Sequence, residues 1–473
     1  MKTKDSPSYL PDLLFIKLPA LIAKDLLPED ADGNVSLDLS HWRLNGYLFH
    51  EWLHYVHNTS TLNGLYAFAS MISMWANFRH KLDHRGQSVV GNVLTDYAAA
   101  SVKRTHLYRR YAARRERNMG SVLRNPDARV TVVSVAEQTE VLPAALPGHE
   151  PEPVTVIVGA AQTLPDQLAV SFEVGTVEII EGVAFLLEEK LLMTQGLLAQ
   201  NVRTAPYKLL QLVARHMVDD IPDELVVAAG ITALQTADPA LALMRMLREM
   251  PSMPPAARMA WLEASAKASL CDYEPLIADV IQKTAVLFPV EEPMGIAVKE
   301  LLDLISSKMV LRRHVPFFEL TALKELKAAA CEDHRADLLE MMLAEYSCPR
   351  ILAERERAED TIGKDRIYGF GWPSMSEASL FGAQMLHGAL HYLSLHLNDE
   401  GFVATDQMTA GGERKRCPFY DACEYDLRRT QPTLCAHRPW DSLAVPTDPR
   451  EACWYRAGVR ATRPPQHDLD ELR

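Results

Sequence analysis

Residues 48–66 read LFHEWLHYVHNTSTLNGLY. On a helix, residues i and i+4 lie one turn apart on the same face, so His50 and His54 can aim two imidazoles at one ion. Glu51 is rotated by about 100° from His50, which sets its carboxylate beside such an ion rather than on it. A general base needs that position to take a proton from water on a metal. Zinc accepts this donor type, and the pattern makes Glu51 the catalytic candidate and His50 and His54 the ligand candidates. The flanking Leu48, Phe49, Trp52, Leu53, Tyr55 and Val56 are apolar, which predicts a buried helix whose ionisable groups need partners. Ser40 is the expected cap of a helix over about 41–58. His57, one turn beyond His54, falls past the reach of a single ion and is read as an outer-shell residue.

A catalytic zinc takes three protein ligands and leaves one position open. Downstream, EVGTVEIIEGVAFLLEEKLL (173–192) offers the third. Glu181 sits among Ile179, Ile180, Val183, Phe185 and Leu186, where a carboxylate is costly unless paired or metal-bound. Gly182 and Ala184 beside it admit close helix packing. Glu178, one turn earlier, is the alternative ligand, or else a group that orients a histidine from outside. The bland reading is a solvated acidic stripe of Glu178, Glu181, Glu188 and Glu189.

HEWLH followed much later by IIEGVAFLLE resembles the gluzincin arrangement of zinc metallopeptidases, in which an HExxH helix is completed by a Glu on a second helix. The resemblance covers these two helices. It implies His50, His54 and Glu181 as zinc ligands, Glu51 as catalytic base, a zincin-like helical core, and a protein or peptide as substrate. The sequence departs from the pattern in its long gap between His54 and Glu181, which contains a predicted sheet. In many gluzincins the sheet precedes the HExxH helix, and its edge strand aligns the peptide.

The expected fold is mainly α (α+β), with a small β-sheet or hairpin insertion and a Cys-rich C-terminal tail. Residues 12–39 look extended, and helical stretches follow near 62–82 and 90–118. RVTVVSV (129–135), PVTVIVGA (153–160) and QLAVSFEV (167–174) are β-branched runs that read as three strands. From 176 to about 397 the pattern is helical, broken by Pro-containing turns. This gives a metal-site domain over 1–200 with the β insertion at about 129–174, a helical domain over 201–400, a linker over 401–416 and a tail over 417–473.

The tail carries Cys417, Cys423, Cys435 and Cys453. Four thiolates in a segment too poor in apolar residues to fold alone suit a structural zinc, with an iron–sulfur cluster as the alternative. Cys271, Cys331 and Cys348 read as small core residues. His387, His391 and His396 read as packed helix residues, one of which could reach the zinc.

The chain has 473 residues, with 49 basic and 62 acidic side chains, a net charge of −13. That balance argues against nucleic acid or an anionic membrane as partner. The basic stretch 103–117 reads as a solvated helix. No apolar run approaches the length of a bilayer span, the N-terminus lacks the features of a signal peptide, and clustered cysteines suit a reducing compartment, so a cytoplasmic protein is expected. Two other functions compete: a non-catalytic binding or regulatory protein held together by zinc, and a di-iron carboxylate protein. The latter needs a second Glu-x-x-His beside Glu51-x-x-His54, and the sequence holds none.

Overall fold

The computed structural model describes residues 7–10, 14–30, 35–78, 121–142, 152–165, 167–198, 201–347, 349–354, 366–368, 376–398, 401–402, 404–405, 408, 416–420, 423, 426–444 and 453–461. The helix expected over 90–118 lies outside these residues. The fold is mainly helical, and no helix among the described residues is long and apolar enough to cross a membrane.

The HExxH segment lies on α2 (Trp42–Ser60), which follows α1 (Ala20–Leu26) and precedes α3 (Leu62–Phe78). Nearly every residue of α2 from Leu48 to Ser60 is buried, polar His50, Glu51, His54 and His57 included, so it is a central helix whose polar groups need partners from the fold. Two expectations about its approach are corrected. Residues 12–39 are not simply extended, because Ala20–Leu26 is helical. Ser40 does not cap α2, whose first residue follows His41. The Ser40 amide is instead donated to the Asp38 carboxylate at 2.8 Å, so the loop closes on itself before the helix begins.

Of the small sheets among the described residues, two bear on the site, and the first packs against α2. The first joins β1 (Ser8–Leu10), β2 (Phe15–Leu18), β6 (Arg350–Ala353) and β7 (Arg366–Tyr368) in that order. β2 and β6 are parallel, with Phe15 opposite Arg350 and Leu18 opposite Ala353. The parallel pair brings the N-terminus to a segment more than 300 positions away, inside the region expected to be helical. β2 falls within the stretch expected to be extended, whereas β6 and β7 are too short for the apolar pattern to reveal.

The second sheet is the expected insertion, an antiparallel meander of β3 (Arg129–Leu142), β4 (Glu152–Leu164) and β5 (Ala169–Val174). Gly159 on β4 faces the Phe172 ring, and a Cβ there would meet it at 2.2 Å. β5 runs through Gly175 directly into α4 (Thr176–Met193), and the Glu178 carboxylate accepts the Gly175 amide at 2.8 Å to start the helix.

α4 packs on α2 and on α5 (Leu209–Met217) and α6 (Asp223–Ala233). A Cβ on Gly182 would meet Leu210 of α5 at 2.6 Å, and one on Gly230 of α6 would meet Val183 at 2.5 Å. Close packing at Gly182 is thus real, but the partner is α5. Four further helices follow: α7 (Pro239–Glu249), α8 (Arg258–Asp272), α9 (Glu274–Ala285) and α10 (Pro293–His314). Then come α11 (Phe318–Ala328), α12 (Glu332–Glu345) and α13 (Glu377–Leu395). One core runs from Tyr9 to Val459, across the boundary expected near residue 200. Cys271 and Cys331 are exposed, which corrects their reading as core residues; Cys348 lies outside the described residues.

A buried charge cluster ties α2 to α10 and α11. Arg312 pairs with Glu319 at 2.7 Å and donates to Ser60 Oγ at 2.8 and 3.1 Å, while His57 Nε2 lies 3.5 Å from Glu319. Burial pushes the Glu319 carboxyl up, but Arg312 and His57 outweigh it and hold the group down at about 2. Removing one partner of a buried pair strands the other. Glu319→Leu should therefore destabilise the fold by about 3–5 kcal/mol in urea unfolding. A loss under about 1 kcal/mol, the size of an exposed pair, would show that the cluster is not needed.

Candidate metal centre

The site forms where α2 crosses α4. The His50 and His54 rings project from successive turns of α2, with centroids 4.8 Å apart and planes at 84°. Glu181 projects from the middle of α4 toward both. One of its oxygens, Oε2, lies 3.3 Å from His50 Nε2 and 3.4 Å from His54 Nε2. Among the described residues, these three side chains alone place three ligand atoms within 4.8 Å of one another. A tetrahedral ion with Zn–N and Zn–O bonds of about 2.0–2.1 Å has ligand–ligand edges of about 3.3–3.4 Å. The two edges from Glu181 to the imidazoles match that spacing, and the three ligand atoms all lie within 4.8 Å of one another.

The surroundings reinforce that fit. His50 and His54 are each 7% exposed and Glu51 5%. His54 Nε2 is buried and makes no well-aimed hydrogen bond, its ion-pair partner being the Glu181 oxygen at 3.4 Å, so its lone pair is open to a metal. His50 Nδ1 meets Glu188 at 3.0 Å. A carboxylate on the far nitrogen fixes the ring and aims Nε2 at the centre. Burial pushes His50 down, but Glu181 and Glu188 together overcome it and raise it to about 10. Burial would likewise raise Glu181, yet the two imidazoles hold it well below the usual carboxylate range.

Glu51 is oriented from the other side. Its Oε2 accepts the backbone amide of Tyr9 on β1 at 2.5 Å, and the Tyr9 ring stacks on His54 with centroids 6.3 Å apart. Tyr207 closes a further side, its ring 5.9 Å from that of His50 and nearly perpendicular to it. Burial, followed by the charge of Glu181, raises its phenol, so it stays a donor at neutral pH.

The structure thus brings His50, Glu51, His54 and Glu181 together. Glu178 caps α4 instead of orienting a histidine, and His57 meets Glu319. The carboxylate that does orient a histidine is Glu188, seven residues after Glu181 and so on the same face two turns on. That periodicity was the available signal, and the acidic-stripe reading concealed it. Tyr207 and Tyr9 carried no sequence signal, since each reaches the site from a separate segment. His387 packs edge-on to Phe15 and Phe419, His391 meets the Tyr455 hydroxyl, and His396 bonds Tyr392 and Thr405. No protein-family model, curated protein or solved structure matches the chain.

Metal binding at this site should follow the donors. Glu181→Ala should lose most of the affinity, Glu188→Ala should weaken it about 10–100-fold, and Glu178→Ala should leave it near the parent value. Equal affinity in parent and Glu181→Ala, by chelator competition, would show a different ligand set. Zinc must also displace the proton that His50 holds below about 10. Calorimetry at pH 7 in buffers of different ionisation enthalpy should show about one proton released per ion. Heats independent of buffer would contradict the proposed charge state.

Proposed function

We propose that the chain is a zinc-dependent hydrolase, a metallopeptidase built on the gluzincin plan, with His50, His54 and Glu181 as ligands and Glu51 as general base. The observation that carries this reading is the single Glu181 oxygen set 3.3 and 3.4 Å from two imidazole nitrogens, with Glu51 on the adjoining turn. When bound, zinc supplies positive charge that polarises a substrate carbonyl and acidifies water.

The protein's own groups do the rest. Glu51 takes the proton of the attacking water and passes it to the departing amine. The protonated Tyr207 hydroxyl is available to donate to the oxygen on which charge develops. Among the described residues β1 is an edge strand, and it passes Glu51, so main-chain pairing along it can align an extended peptide. Two strands of this sheet, β1 and β2, precede the HExxH helix in the chain, whereas β6, β7 and the longer β3–β5 meander follow it.

A non-catalytic zinc site is the reading to set against this. The burial of Glu51 and its bond to the Tyr9 amide also suit a purely structural role. Glu51→Gln separates the two. Gln is nearly isosteric and still accepts the Tyr9 amide, so zinc should be retained. It cannot take a proton, so cleavage of a peptide library should fall by at least about 10²–10⁴-fold. Cleavage at the parent rate with equal zinc content would rule out Glu51 as the base.

A further inference from the structure

The tail joins the body through close backbone contact. Its last described helix, α16 (Trp454–Ala461), lies on α13, where a Cβ on Gly388 would meet Tyr455 Cα at 2.8 Å and one on Gly458 would meet the Met385 carbonyl oxygen at 2.2 Å. Between Cys417 and Cys453 the described elements are short: α14 (Asp426–Thr430), α15 (Pro432–His437) and a 3-10 turn over Pro439–Ala444. Helices of five and six residues are not stable in isolation. Packing of Phe419, Leu427 and Trp440 into the common core holds part of this segment, and a cross-link among its turns would hold the rest.

The four tail cysteines gather at one place. None of the four is in a disulfide; Cys417 and Cys435 are buried and Cys423 and Cys453 half-buried. Cys423, Cys435 and Cys453 each lie close enough to Cys417 to act on it electrostatically, and Cys423 and Cys453 do the same to Cys435. The Cys417 amide donates to the Cys435 carbonyl at 2.9 Å, so two of the four are joined through their backbones.

A second observation concerns the sulfurs. Cys417 Sγ receives the amide of Phe419, and Cys453 Sγ receives the amides of Tyr455 and Arg456 at the start of α16. Burial outweighs these amides and pushes the Cys417 and Cys453 thiols up, so the N–H groups mark how the turns face the sulfurs and not an ionised thiol. Arg428 and Arg456 stand near Cys435 and Cys453, and Arg428 also donates to the Cys423 carbonyl, so positive charge is at hand for a negatively charged sulfur cluster.

We propose that Cys417, Cys423, Cys435 and Cys453 jointly hold a thiolate-bound metal centre that staples the tail onto α13. The centre is separate from the His50–His54–Glu181 site and structural in role. No three of these sulfurs lie within 4.8 Å of one another. A zinc ion with four Zn–S bonds of about 2.3 Å sets its sulfurs about 3.8 Å apart, so zinc must draw them inward by side-chain rotation. An iron–sulfur cluster, with several irons and inorganic sulfide between the thiolates, holds them further apart. The shared chemistry is four thiolates on a thiophilic centre.

The test uses the full chain purified without oxygen, with zinc, iron and acid-labile sulfide measured in the parent, in a His50→Ala/His54→Ala variant and in a Cys423→Ser/Cys453→Ser variant. The histidine variant should keep one metal centre per chain, and the cysteine variant should lose it. Zinc released by a mercurial identifies a single ion. Iron with matching sulfide, and visible absorption bleached by dithionite, identifies a cluster. Cobalt added to the histidine variant after metal removal should give a sulfur-to-cobalt charge-transfer band, a readout that does not depend on the cysteine variant folding. A histidine variant that holds no zinc, iron or sulfide and gives no such band would overturn the proposal.

Discussion

The structure is organised around the desolvation of charge where α2 crosses α4. His50, Glu51, His54, Glu181 and Glu188 converge there with little access to water. An unpaired charge in such a place costs several kcal/mol, so each of these groups needs a partner supplied by the fold. α4 supplies two carboxylates two turns apart, β1 supplies the Tyr9 amide, and the Tyr207 ring stands against His50. The remaining architecture holds those suppliers in register. β5 delivers the chain into α4 through Gly175, Gly182 and Gly230 let α4 settle against α5 and α6, and the Arg312–Glu319 pair locks the far end of α2.

The same constraint accounts for what could be read in the sequence. A histidine pair at helical spacing inside an apolar run declares both a buried helix and a need for ligands. A lone carboxylate among Ile, Val and Phe declares its complement. These are local patterns, so His50, Glu51, His54 and Glu181 were legible, as were three β-branched strands and the broadly helical remainder. Glu188 was half-legible: its seven-residue spacing from Glu181 was visible, but the spacing alone does not say which face of α4 meets α2.

What stayed hidden depends on distant contacts. β2 lay in a stretch read as extended, but its parallel partner β6, more than 300 positions away, is too short to show a pattern, so the pairing itself was not visible. Tyr9 acts through its backbone amide, a group every residue except proline possesses, so nothing in its identity advertises the bond to Glu51. His57 looked like part of the histidine array because it shares the helix. Its partner Glu319 comes from α11 and redirects it into a separate buried cluster. Ser40 had the chemistry of a cap, but Asp38 competes for it two residues away.

The account rests on the claim that one ion occupies the point equidistant from His50 Nε2, His54 Nε2 and the Glu181 carboxylate. Anomalous diffraction from crystals of the zinc-loaded protein, recorded on both sides of the zinc absorption edge, tests it directly. The account predicts a zinc peak between these three side chains, with ligand distances of about 2.0–2.2 Å. Zinc-loaded crystals with no peak at that position, and with the His50–Glu181 and His54–Glu181 contacts still in place as simple ion pairs, would contradict it.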